Sequence, residues 1–147
     1  MKVQMILDLK GTNVHTVRPE TPMRMFGEMV VERSIGAAPV TDRSGAILGI
    51  ISERDIVRGF YAHGAALEKM TVGEHMTKTV ISCGSENTVA DVIGLMCEHN
   101  IRHIAVLDAD VLSGFISIRD ITFNRLAQLE LDNETLRLML ENYDTMG

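Results

Sequence analysis

Two stretches of the chain carry the residue types best suited to chemistry: Gly49-Ile50-Ile51-Ser52-Glu53-Arg54-Asp55 and Gly114-Phe115-Ile116-Ser117-Ile118-Arg119-Asp120. An apolar run followed by Ser-x-Arg-Asp reads as a strand feeding a helix. Ser at the boundary with Asp three residues on forms a capping box, which satisfies helix N–H groups that otherwise lack partners. A cap needs no arginine, yet both copies place one before the Asp. A helix N-terminus also presents unpaired N–H groups and a positive dipole end, which suit a phosphate. The Ser hydroxyl can hydrogen-bond to that phosphate and Arg can pair with it. An Asp carboxylate one turn on can accept both hydroxyls of a ribose diol. The spacing therefore describes a ribose-phosphate clamp, with the Gly letting backbone come close. For a single copy the cap is a complete account; two copies in register favour the clamp.

The doubling extends beyond the motif. At an offset of 66, Val14 falls on Val80, Glu20 on Glu86, Glu32 on Glu98, Ile35 on Ile101, Val40 on Val106 and Asp42 on Asp108. One residue is lost after Asp42, and at an offset of 65 Gly49, Ile51, Ser52, Arg54, Asp55 and Ile56 meet Gly114, Ile116, Ser117, Arg119, Asp120 and Ile121. Such order with one gap marks an internal repeat.

Each copy predicts the same elements. A short extended segment (14–17 and 80–83) precedes an amphipathic helix. Thr21 is the expected N-cap of the first helix, with Pro22 at its first position; Thr88 and Asp91 form a capping box for the second. Met23, Phe26, Met29 and Val30 share one helix face, as do Val89, Val92, Ile93 and Met96. Ser34 and Asn100 fall near the helix ends. Strands follow at 37–41 and 47–51 around Asp42-Arg43-Ser44-Gly45, and at 104–107 and 111–116 around Asp108-Ala109-Asp110. The fold class is α/β: two β-α-β-β-α repeats related by approximate two-fold symmetry and packed as one module. The repeats cover 5–64 and 77–130, with a linker at 65–76 containing a short helix and a C-terminal helical extension at 131–147.

Composition narrows the classes of function. The chain has 147 residues, 46% of them hydrophobic and 23% charged, as one compact domain does. Fourteen Lys and Arg against twenty Asp and Glu give a net charge of −6, which argues against non-specific nucleic-acid binding and against attraction to an anionic membrane. No apolar run is long enough to span a bilayer or serve as a signal peptide, and the expected location is cytoplasmic. Cys83 and Cys97 make no disulfide framework. Cys97, His99 and His103 do not complete four metal ligands, so no metal is expected. The ten methionines read as core filling. No activated nucleophile or Gly-rich dinucleotide fingerprint appears, so the chain is expected not to be an enzyme and to have no catalytic residues.

The doubled Gly-h-x-Ser-x-Arg-Asp segments, with Gly36-Ala37-Ala38-Pro39-Val40 and Arg102-His103-Ile104-Ala105-Val106, resemble the cystathionine-β-synthase (CBS) domain family. The tandem arrangement resembles a Bateman module over residues 5 to 130, similar to stand-alone bacterial CBS pairs. The resemblance implies a regulatory module that binds adenosine-containing ligands (AMP, ADP, ATP, NAD or S-adenosylmethionine) in clefts between the repeats, with no cofactor required. It implies that Ser52 and Asp55 in one site, and Ser117 and Asp120 in the other, hold phosphate and ribose, with Arg54 and Arg119 facing phosphate. It places Thr16, Val17, Ala37, Ala38 and Pro39 around one adenine, and Ile81, Ser82, Cys83, His103 and Ile104 around the other. Arg102 is a further phosphate candidate.

The second site is expected to bind the phosphorylated ligand more tightly. It has Arg102-His103 where the first has Gly36-Ala37, and Ile118 where the first has Glu53, whose carboxylate disfavours a polyphosphate unless it points to solvent. Past the second motif, Leu126, Leu129, Leu136, Met139, Leu140 and Tyr143 keep one apolar side of a long helix. That stripe either packs on its own sheet or makes a homodimer contact, which the resemblance favours. The alternative function is a structural dimerisation module with vestigial nucleotide sites. The regulated protein partner is not legible.

Overall fold

The computed structural model describes residues 1–11 and 13–146, with side chains described except at 127 and 142–146. In chain order the elements are α1 (Val3–Lys10), α2 (Met23–Arg33), β1 (Ala37–Thr41), β2 (Ile47–Ser52) and α3 (Glu53–His63). A 3-10 turn (Gly64–Lys69) leads to α4 (Val72–His75), β3 (Ser82–Cys83), α5 (Val89–His99), β4 (His103–Asp108), β5 (Val111–Ser117) and α6 (Ile118–Met146). The chain is α/β and built of two repeats, as its own self-similarity predicts.

Helices α2 and α5 each bury one stripe and stop at a left-handed residue, Ser34 (φ 52°) and Asn100 (φ 51°), which turns the chain back into a strand. Thr88 and Asp91 form the expected box at the start of α5. Thr21 does not cap α2: Pro22 occupies the cap position and Met23 opens the helix. The reason is tertiary. Thr21 O accepts Val72 N and Met23 N donates to Met70 O, so this corner is bound to the segment around α4.

In the first repeat β1 and β2 are antiparallel, with Ala37 opposite Ser52; in the second, β4 and β5 are antiparallel, with His103 opposite Ser117. Each motif serine thus lies across the ladder from the first residue of the preceding strand. Strand β3 adds to β4 in parallel, Ser82 beside Ala105 and Cys83 beside Val106. The expected segment at 14–17 shrinks to a single bridge, Val17 to Val40. Val14 and Val80 instead turn their side chains toward the seam between the repeats.

The repeats exchange their leading helices. Helix α1 precedes the first repeat but packs on the second: Val3, Ile6 and Leu7 are buried with Val92, Met96, Ile104, Val106 and Ile116. Helix α4 precedes the second repeat but packs on the first, where Val72 and Leu67 are buried with Val17, Phe26, Val40 and Ile51. The contacts are matched: Val3 N donates to Asn87 O and Gln4 N to Ser85 O, while Val72 N donates to Thr21 O and Gly73 N to Pro19 O. Burial of each such aliphatic side chain stabilises by roughly 1.5–3 kcal/mol. A third cluster, Ala37, Ala105 and Phe115, joins the two sheets.

Beyond Ile121 the last helix leaves the module. Leu126, Leu129, Leu136, Met139 and Leu140 are all exposed, so this chain's own sheet does not cover the stripe. The side chain of Tyr143 lies outside the described residues. Among the described residues no helix is long and apolar enough to cross a membrane.

Candidate functional site

Both motifs close into capping boxes. Ser52 N donates to Asp55 Oδ2 at 2.9 Å and Ser117 N to Asp120 Oδ2 at 2.9 Å, while Asp120 N donates to Ser117 Oγ at 3.1 Å. The cap and the clamp are compatible. Each carboxylate uses Oδ2 for the fold, and among the described residues neither Oδ1 takes part in a hydrogen bond. Asp55 is nonetheless buried, at 7% exposure. It lines a cleft of about 320 Å³ between α3 and α4, together with Arg58, His63, Glu74, His75 and Thr77. The Nε2 atom of His75 is buried there without a partner among the described residues.

The motif glycines have a different reason from the expected one. A Cβ on Gly114 would lie 2.4 Å from Leu7 Cδ2, and a Cβ on Gly49 would lie 2.7 Å from the Thr77 carbonyl and 2.9 Å from Met76 Sδ. Each glycine admits the exchanged segment of the other repeat, at the point where it crosses the strand.

Around Asp120 the structure gathers a polar group. Lys10 Nζ donates to Asp120 Oδ2 at 2.7 Å and to Phe115 O at 2.6 Å. Burial would raise the Asp120 carboxyl, but the hydrogen bonds and charge of Lys10 with the Ser117 amide outweigh it and hold the group below 3.8. His103 stacks on Phe115, rings 5.5 Å apart and 12° from parallel. Burial lowers the His103 imidazole below 6.5, and the Lys10 and Arg102 charges add to this against the opposing pull of Asp120. The ring is therefore neutral near pH 7, with one nitrogen to donate and one to accept. Gly36 of the first repeat faces it: a Cβ there would be 3.1 Å from His103 Cε1 and 3.5 Å from Glu53 Oε1. Glu53 thus folds over Gly36, beside His103 of the second repeat.

Strand period sorts the expected base-contacting residues, because successive side chains point to opposite sheet faces. Ala37 and Ala105 face the seam between the repeats. Val17, Ala38, Cys83 and Ile104 point the other way, into the two helix-covered cores, where their side chains are not available to a ligand. Burial, with a smaller push from Asp108, raises the Cys83 thiol to about 11, as befits a core residue. Pro39 is fully buried, Ile81 packs against the second core, and Thr16 and Ser82 are exposed. Arg54 does not turn to its own motif: Nη1 donates to Asn100 O at 3.3 Å, at the C-terminal end of α5. Arg102 and Arg119 are exposed.

Sequence reasoning missed Lys10 and Phe115. Phe115 lay inside the motif as an unspecified apolar residue. Lys10 had no signal, since only the helix exchange brings it to the second repeat.

The comparisons fit this architecture. The family model for the CBS domain matches twice, at residues 7–62 and 72–126. The CBS domain-containing protein YhcV of Bacillus subtilis is 26% identical over 122 residues, 83% of this chain and 86% of its own length. The crystal structure of the CBS-domain containing protein ATU1752 from Agrobacterium tumefaciens superposes with a TM-score of 0.82 at 35% identity, covering 85% of this chain and 99% of that one. The CBS domain pair of protein MJ0100, crystallised in complex with methylthioadenosine and S-adenosyl-L-methionine, superposes with a TM-score of 0.72 at 25% identity, covering 83% and 97%. Two matches to one family model, in register with the doubled motif and the exchanged helices, make this chain a member of the CBS-domain family, carrying two CBS repeats.

Proposed function

We propose that the chain is a regulatory module that reversibly binds an adenosine-containing ligand (AMP, ADP, ATP or NAD) through the two Ser-x-Arg-Asp helix starts. The observation that carries this is the pair of carboxylates, Asp55 and Asp120, each fixed at a helix N-terminus by one oxygen with the other unengaged. The complex of MJ0100 with adenosyl compounds supports the ligand class. Ser52, Asp55 and Ala37 belong to the first site; Ser117, Asp120, Arg102 and His103 belong to the second. Arg54 completes its clamp only by leaving Asn100 O, whereas Arg119 is exposed beside its own motif. The repeats are taken as 5–64 and 77–130 with the linker at 65–76, each lent a helix by the other. The reading is of a cytoplasmic, non-catalytic protein acting on an unidentified protein target.

The protein works as a homodimer in this reading. Helix α6 exposes Leu126, Leu129, Leu136, Met139 and Leu140, and α3 exposes Phe60 and Tyr61, the latter at 93%. Exposed apolar residues in such number mark an interaction face. Sedimentation of a 16 kDa species at micromolar concentration would remove the dimer.

A thermal-shift panel with AMP, ADP, ATP, NAD and S-adenosylmethionine tests the ligand reading. A ligand at 100 times its Kd stabilises by about 2.7 kcal/mol, or roughly 5–10 °C for a chain of this length. The expected result is a shift confined to one or two compounds and lost in Ser117→Ala/Asp120→Ala. No shift with any compound would leave a dimerisation scaffold with vestigial sites as the better account.

A further inference from the structure

Lys10 joins Arg102 and His103 as a feature of the second site that has no counterpart in the first among the described residues. Leu7 is held against Gly114, and Lys10, three residues further along α1, projects from the same face. Its ammonium reaches both Asp120 Oδ2 and the Phe115 carbonyl, with the side chains of the pair only 35% and 24% exposed. The equivalent segment of the first repeat ends its helix at His75. It then turns into an extended segment in which Thr77 pairs with Ile50, and among the described residues no cationic side chain hydrogen-bonds Asp55, although Arg58, His63 and His75 line its cleft.

Asp120 Oδ2 therefore holds two donors before any ligand arrives, Ser117 N and Lys10 Nζ. A ribose diol that engages both carboxylate oxygens, Oδ1 with one hydroxyl and Oδ2 with the other, displaces the ammonium from Oδ2, because the Ser117 amide is fixed by the fold. Among the described residues Lys10 pairs with no carboxylate but Asp120, and Glu53, the other carboxylate beside His103, lies over Gly36 of the first repeat. A phosphate at the start of α6 accepts the displaced charge. A neutral nucleoside leaves it unpaired in a half-shielded site, which is costly.

We propose that Lys10 makes the second site selective for an anionic adenosyl ligand over a neutral one, by guarding Asp120 in the empty site and moving to the phosphate in the filled one. The inference rests on the adenosyl reading of the site. It differs from that reading in assigning discrimination by charge to a residue of the exchanged helix.

The test is calorimetric titration of the whole chain with AMP and with adenosine, in an Asp55→Asn background so that the first site is weakened. Lys10→Met keeps the length of the stem and removes the charge; Lys10→Arg keeps the charge. The expected result is that Lys10→Met weakens AMP about tenfold or more, as loss of a charged hydrogen bond does, while adenosine binds unchanged or more tightly. Lys10→Arg should restore most of the preference, which a purely structural role would not require. An AMP-to-adenosine ratio unchanged in Lys10→Met overturns the role of Lys10 and leaves the adenosyl reading intact. Failure of AMP and adenosine, and of ADP, ATP, NAD and S-adenosylmethionine titrated in the same way, to bind the Lys10-containing protein overturns the adenosyl reading and this inference with it.

Discussion

Ile6→Ala tests whether the exchanged helix is part of the second repeat's core. Ile6 is 1% exposed and contacts a cluster that includes Val92, Met96, Ile104, Val106 and Ile116. Truncation to Ala removes three carbons from a closed environment, and such changes cost about 2–5 kcal/mol. Val3 and Leu7 flank the site and limit collapse, which places the expected cost near 3 kcal/mol. With an unfolding entropy of about 2.1 cal/mol/K per residue, that loss lowers Tm by roughly 10 °C. Leu9→Ala is the control, since Leu9 on the same helix is 72% exposed and should change stability by no more than about 0.5 kcal/mol. The assay is urea denaturation followed by far-ultraviolet circular dichroism, with the slope m compared between variants. A fall in midpoint at constant m supports the packing. If Ile6→Ala shifts the midpoint no more than Leu9→Ala, α1 opens independently of the global transition and the exchange contributes nothing to the fold.

Two further outcomes follow from the same geometry. Gly49→Ala should destabilise more than Gly114→Ala, because its Cβ meets the Thr77 carbonyl at 2.7 Å whereas that of Gly114 meets the movable end of Leu7; equal midpoints in chemical denaturation would refute this. Stability should fall in two acid steps. His103 is held below its ordinary 6.5, so the unfolded chain binds its proton first and stability drops as pH falls below that value. Asp120 is held below 3.8, so its contribution is complete above that pH and is lost as pH falls through the lower folded value. His103→Gln should flatten the first step in a pH series of thermal melts, and an unchanged profile would exclude His103 as its source.

Much of the architecture was legible because it is local or repeated. Periodic apolar residues mark α2 and α5, the turn residues mark both hairpins, and Ser-x-x-Asp marks the starts of α3 and α6. Repetition then turned an ordinary cap into a candidate clamp. The start of α2 was misplaced by a contact the local pattern does not contain, the pairing of Thr21 with Val72. In the sequence the expected base-contacting residues form runs, such as Ala37-Ala38-Pro39, that do not separate the two faces of the strand. Burial in the finished sheet separates them, with Ala37 toward the seam and Ala38 in the core.

The sequence by itself determined the doubled β-α-β-β-α order and the serines and aspartates that open α3 and α6, because capping and periodicity act over a few residues. Only the tertiary structure decided which repeat each leading helix serves, that Gly114 makes room for Leu7, and that Lys10 stands on Asp120, 110 positions away. Those pairings depend on two cores being buried by exchange. Chain order gives no sign of such an exchange, since each helix would look equally amphipathic beside its own repeat.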